Sequence, residues 1–160
     1  MHFMQNSTDW RSDTSIAYAI FRLTFGVNIC FRGIVRIMNG TDLFAGGLMK
    51  QFEPTPFPLG MVSAFGNVVP YIETLIGIML ILGIGTRIAL IIGGLMMTSL
   101  TFGTMFLQNF DLAWLQLTYA IAFFLLLAAR SWNLISIDAM MGTEARAPGD
   151  VRVSAGLPGR

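Results

Sequence analysis

The chain has 160 residues, 54% of them hydrophobic and 12% charged, with a formal net charge of +1 and a mean hydropathy of +0.67. Such a length fits one domain, and such a composition is too apolar for an ordinary soluble one. The near-neutral charge, with no basic run interleaved with aromatics, gives no case for a nucleic-acid partner.

Residues 1–14 read as a polar cytoplasmic head that lacks the basic and apolar regions of a secretory signal, with Trp10 suited to anchor at the membrane interface. Asp13, Thr14 or Ser15 is placed to cap the first helix. Four stretches follow, near 16–38, 61–83, 86–107 and 112–132, each long enough at about 20 residues to cross a hydrocarbon core as a helix. The expected fold is an all-α membrane protein, a four-transmembrane-helix bundle occupying residues 15–138 with a short outer interfacial helix.

The first span carries Arg22, Asn28, Arg32 and Arg36. At about 100° per residue these fall within an arc of about 120°, with apolar surface over much of the rest. An arginine near a bilayer centre costs about 2.5–3.5 kcal/mol even on insertion scales, so this stripe is expected to face other helices. Arg36, near the helix end, reads most simply as snorkelling to the outer interface.

Residues 39–60 form the longest connection. Thr41 suits the cap of a short helix over 42–52, apolar on one side and fitted to lie at the membrane surface. Pro54, Pro56 and Pro58 then force an extended segment. The second span brings Pro70, Tyr71 and Glu73, so a carboxylate lies at a depth comparable to the arginines. Gly83-Ile84-Gly85-Thr86 predicts a tight turn with Thr86 capping the third span. That span pairs small residues at helical spacing, Ala89 with Gly93 and Ser99 with Gly103, a pattern that serves packing within the chain or between copies in a homo-oligomer. Gln108, Asn109 and Asp111 make the next turn, Asp111 being the expected cap of the fourth span. Residues 139–160, rich in Gly, Pro, Ala and Arg at their end, read as a disordered cytoplasmic tail. Arg11, Arg87, Arg130, Arg146, Arg152 and Arg160 fall on the side of the termini and Lys50 on the other, which places both termini in the cytoplasm.

Two groups of residues carry chemistry. Arg22, Asn28, Arg32, Tyr71 and Glu73 are candidates to bind a polar ligand. Arg22 and Arg32 are expected to meet Glu73, and three arginines against one carboxylate leave positive charge that an anion or polar head would balance. A plain ion pair between two helices is the competing reading. Arg36, Gln108, Asn109, Asp111, Gln116 and Tyr119 cluster toward the outer face, where capping and interfacial solvation account for most of them. Metal ligation is not indicated, since no Cys, His, Asp and Glu cluster has the spacing. His2 is the only histidine and Cys30 the only cysteine, so this chain holds neither a bis-histidine haem nor an internal disulfide. Cys30 in its apolar surroundings reads as a small packed hydrophobe.

The pattern Phe21-Arg22-Leu23…Gly26…Phe31-Arg32-Gly33…Arg36, then Tyr71-Ile72-Glu73-Thr74-Leu75-Ile76-Gly77…Leu82-Gly83…Thr86-Arg87, resembles DoxX/DoxD membrane proteins. Thr101-Phe102-Gly103…Leu107-Gln108-Asn109…Asp111…Gln116-Leu117…Tyr119-Ala120 resembles a branch of the same family, so the likeness spans residues 16–132. The resemblance implies a multi-pass protein of a bacterial or archaeal cytoplasmic membrane, tied to redox systems. Its named activity is thiosulfate:quinone oxidoreduction, with the DoxD-like chain as the large membrane subunit beside a second protein. Relatives include membrane partners in methylamine dehydrogenase maturation and in thiol-stress complexes. With no resident electron carrier evident and no covalently bound cofactor expected, the chain needs a partner, and quinone is its candidate ligand. The alternative is a non-catalytic scaffold or accessory subunit of a larger complex. A small transporter is the third reading, weakened by the lack of an inverted repeat.

Overall fold

The structure, a computed structural model, describes residues 9–142. Helix α1 spans Asp9–Met38, α2 Thr41–Phe52, α3 Leu59–Leu82, α4 Thr86–Phe106 and α5 Phe110–Ala128. A 3-10 turn at Arg130–Trp132 and a short α6, Ile137–Met140, follow. Among the described residues four helices are long and apolar enough to cross a membrane, namely Ser12–Met38 within α1, then α3, α4 and α5. The first and last described residues lie at one end of the bundle, called here the terminal end; α2 lies at the other.

Residues 9–14 continue α1 instead of forming a separate head, because nothing between Asp9 and Ser15 breaks a helix. Asp13, Thr14 and Ser15 therefore sit inside the helix and cap nothing at its start. The disordered tail expected over 139–160 begins too early, since Ala139 and Met140 belong to α6, which Ser136 caps by accepting from the Ala139 N–H. Residues 1–8, the Trp10 side chain and the expected tail from residue 143 onward lie outside the described residues.

In lipid the apolar surface of one helix gains little by leaving tails for another helix, so close packing and polar contacts must hold the bundle together. The α1–α3 contact illustrates this. A Cβ on Gly77 would stand 2.5 Å from Cys30 Cα, and one on Gly26 would stand 3.0 Å from Leu80 Cβ. Gly33 lies against Pro70 and Thr74 in the same way. Three small residues on α1 and α3 thus let two backbones approach to contact, and Cys30 is buried in that contact. Between α4 and α5, the Phe123 ring occupies the space a side chain on Gly93 would need. The spacing of Ala89 and Gly93 serves packing within the chain, since Ala89 is fully buried too.

Helix α2 packs along the first half of α3, with Ala45 against Gly66 and with Phe52 buried. It starts after Gly40, which adopts a φ of 93°, and Thr41 is its first residue, not its cap. At α5 the cap is Asn109, whose side chain accepts from the Leu112 N–H at 3.1 Å. Asp111, expected there, lies two residues further in and complements the helix dipole from the first turn. At α4 no side chain caps from within the helix. Gly85 precedes it, and the free N–H groups of Gly85 and Thr86 donate to Asp138, each at 2.8 Å. A carboxylate from beyond α5 therefore does the work assigned to Thr86.

Candidate functional site

The antiparallel register of α1 and α3 decides which arginine meets the carboxylate. Gly33 faces Pro70 and Thr74, Cys30 faces Gly77, and Gly26 faces Leu80 and Ile81. Extending that register runs Arg22 past the end of α3 and leaves Glu73 between Arg32 and Arg36. Arg36 Nη1 donates to Glu73 Oε2 at 2.5 Å, and Arg32 Nη2 lies 3.9 Å from Oε1. Glu73 is 0% exposed, and its Oε1 makes no hydrogen bond with the described residues. The expectation that Arg22 and Arg32 meet Glu73 while Arg36 snorkels is thus half corrected. Arg36 turns inward to the carboxylate, and Arg22 belongs to another group.

Arg22 lies 14 residues before Arg36, nearly four helical turns toward the terminal end. There its Nη1 donates to Asn133 Oδ1 at 2.9 Å and its Nη2 to the Ile135 carbonyl at 3.0 Å. Asn133 Nδ2 donates to Thr86 Oγ1 at 3.3 Å, and the Asp138 N–H to the Gly83 carbonyl at 2.9 Å. Gly83 has a φ of 67°, and a Cβ there would run into the Arg22 guanidinium, so glycine is required twice over. These contacts form a clasp joining α1, the α3–α4 turn and the segment after α5. Burial by itself would raise the Asp138 carboxyl. The N–H donors of Thr86 and Gly85, the Thr86 hydroxyl and the positive charge of Arg22 outweigh it and hold the carboxyl below its ordinary range. Ser136 ties the segment together, its Oγ donating to the Asn133 carbonyl at 3.0 Å and accepting from the Ala139 N–H at 3.1 Å. Sequence reasoning missed Asn133, Ser136 and Asp138 as a unit; the signal available was a polar Asn-x-x-Ser-x-Asp run directly after an apolar helix.

Two residues from Glu73 on a helix is about 200° of rotation, so Tyr71 points away from it. Tyr71 is 55% exposed on the outer surface of α3 and does not join the site. Asn28 is also exposed, and its Oδ1 accepts from Tyr119 Oη at 2.9 Å. Arg32 stacks over the Tyr119 ring at 4.7 Å, and Arg36 over the Phe44 ring at 4.3 Å. Aromatic faces therefore supplement the single carboxylate in holding two guanidinium groups. Gln108, with a φ of 51°, and Asn109 and Asp111 are exposed at the turn before α5. Gln116 behaves differently from them: it is 7% exposed, and its Oε1 accepts from Thr104 Oγ1 at 2.9 Å.

A cavity of about 670 Å³ occupies the α2 half of the bundle, between α3 and α4. Arg32 and Arg36 look into it from α1, and Thr104 and Gln116 reach it from α4 and α5. Apolar side chains such as Phe44, Leu48 and Phe52 of α2 and Phe65 of α3 make most of its wall. Ring contacts from Phe52 to Phe57 at 5.6 Å and from Phe57 to Phe106 at 5.3 Å link α2 to α4 across its rim. Its size is ordinary for a small-molecule site, and a mostly apolar wall with a few convergent donors is the usual composition. The arginines carry more positive charge than Glu73 neutralises. Among the described residues no group of three or more His, Cys, Asp and Glu could hold a metal ion.

Four apolar helices around a cavity headed by paired arginines define a multi-pass membrane protein. The family model described as Methylamine utilisation protein MauE matches residues 14–113, and the chain belongs to that family. The match runs from the start of α1 through Arg32, Arg36, Glu73 and Thr104 and stops just short of Gln116. MauE and DoxX/DoxD are different families, and the likeness to DoxX/DoxD motifs does not set the family of this chain. No curated protein and no solved structure matches it.

Proposed function

We propose that this chain is the membrane subunit of a redox-related system, binding the head of a quinone in its cavity while a second protein supplies the electron carrier. The observation that carries this reading is the cavity itself. Two guanidinium groups held by one buried carboxylate face an apolar space large enough for a ring and part of its tail. Guanidinium donors suit carbonyl oxygens, and they favour negative charge that develops on those oxygens when the ring is reduced. The reading assigns the electron carrier to a second protein, and it fits that Cys30, the one cysteine of the chain, is packed between α1 and α3 and offers no accessible thiol. The most specific form of the reading, suggested by the DoxX/DoxD-like motifs, takes the electrons from thiosulfate. We place both termini in the cytoplasm, on the side of Arg87 and Arg130.

The test is reconstitution of the full chain in lipid, alone and with candidate partner proteins, followed by quinone binding and thiosulfate-dependent quinone reduction. Saturable quinone binding by the chain, with reduction only when a partner is present, is the expected result. Absence of quinone binding in every combination would overturn it.

The second reading is an accessory subunit without a ligand of its own, favoured by the family's description as a methylamine utilisation protein. Native purification separates the two. An accessory subunit co-migrates with a partner whether or not the arginines are intact, and a quinone site loses its ligand when they are changed.

A further inference from the structure

We infer that Gln116, held by Thr104, is a second polar station of the cavity, and that the site selects a ring carrying hydrogen-bond acceptors on opposite edges. The inference rests on the reading of the cavity as a quinone site and goes beyond it by naming what discriminates among amphiphiles.

Helices α1 and α5 run antiparallel and touch where Arg32 lies over Tyr119. Arg36 is one turn beyond Arg32, and Gln116 is one turn beyond Tyr119 in the same direction. The two residues therefore stand at one level on facing helices, and both line the cavity. Thr104 Oγ1 holds the Gln116 amide by its oxygen. The NH2 end has no hydrogen-bond partner among the described residues, and it is not sealed off: on a residue only 7% exposed that lines the cavity, it remains accessible. A ligand that places an acceptor against this open donor gains a hydrogen bond that a ligand without one there does not.

A single-headed anion such as a fatty acid satisfies the arginines and leaves Gln116 unpaired. A ring with carbonyl oxygens at opposite edges satisfies both walls, with its face against the apolar side chains between them. No proton or electron transfer by Gln116 is implied; its part is recognition.

The experiment measures binding of three probes to the full chain in lipid nanodiscs: a short-tailed benzoquinone, a ring of the same tail and size with one oxygen, and decanoate. The expected result is that the quinone binds about ten-fold more tightly than the one-oxygen ring. Gln116→Leu, which suits an apolar wall and keeps the fold, should weaken quinone binding roughly three- to ten-fold and leave the one-oxygen ring unchanged. Thr104→Val should shift the same preference in the same direction by a smaller factor. If Gln116→Leu leaves the preference intact, or if decanoate binds the native chain as tightly as the quinone, Gln116 is not a station and the inference is wrong. If none of the three probes binds the native chain, the cavity reading itself fails, and this inference falls with it.

Discussion

Arg36 Nη1 donates to Glu73 Oε2 at 2.5 Å across the contact between α1 and α3, and Arg32 approaches the other oxygen of the same carboxylate to 3.9 Å. One anion therefore restrains two cations at the head of the cavity. Glu73 is fully buried, while the two arginines are partly open toward the cavity. The carboxylate holds the arginines in place, and the arginines present the donors.

Removing the carboxylate's charge should cost more than removing the pair. Breaking a buried ion pair from one side costs about 3–5 kcal/mol, whereas neutralising both partners costs less. Glu73→Gln is expected to lower the melting temperature in detergent clearly, and Arg36→Gln/Glu73→Gln to recover part of the loss. Single effects that simply add in the double variant would show that the two residues are not coupled.

The α1–α3 contact depends on the absence of a side chain. Gly77→Val should prevent folding, because even a Cβ there would be 2.5 Å from Cys30 Cα with backbone on both sides. Gly47→Ala provides the contrast, since nothing lies within 4 Å of a Cβ at that position in α2. It should stabilise by about 0.5–1 kcal/mol through the unfolded chain. Yield of monodisperse protein and thermal melting read both outcomes.

The clasp at the terminal end should depend on pH through Asp138. Its carboxyl is held below the ordinary value of 3.8 in the folded chain, by the Thr86 and Gly85 N–H donors against the opposing effect of burial. A depressed folded value means stability that is present above the unfolded value and is lost as pH falls through the folded one. Asp138→Asn should therefore lower the melting temperature near pH 7, and the difference from the native chain should shrink below about pH 4. A difference that stays constant down to pH 3 would contradict the role given to the carboxylate.

Cys30 should be inert in the folded protein. It is 5% exposed, and its backbone lies against Gly77. A maleimide should label it only after denaturation in detergent, and Cys30→Ala should retain ligand binding. Rapid labelling of the native chain would mean that the α1–α3 contact opens.

The bundle was readable from hydropathy because lipid imposes length and apolarity on every span, whatever its neighbours. The polar stripe on α1 was readable for the same reason. Its partners were not, because register depends on where glycines let helices touch. The contact of Gly26, Cys30 and Gly33 with Gly77 and its neighbours sends Arg36 to Glu73 and leaves Arg22 for Asn133. Sequence proximity misled at Tyr71, which is close to Glu73 in the chain and on another face of the helix. The Asp138 cap on α4 lies 52 residues from the N–H groups it serves, beyond any local capping pattern. Gln116 was visible as a polar residue near the start of α5, but only its burial and its place in the cavity wall distinguish it from the exposed polar residues around the preceding turn.

The most direct test of the central claim is quinone binding by the native chain and by a variant whose cavity is filled. Leu48→Trp places a larger side chain in the cavity wall, away from the Arg36–Glu73 pair and the terminal clasp. Titration of a short-tailed quinone into nanodisc-embedded protein should give saturable binding to the native chain. The Leu48→Trp variant should melt at the native temperature and bind no quinone. Equal binding by the two proteins, or none by the native chain, would contradict the account.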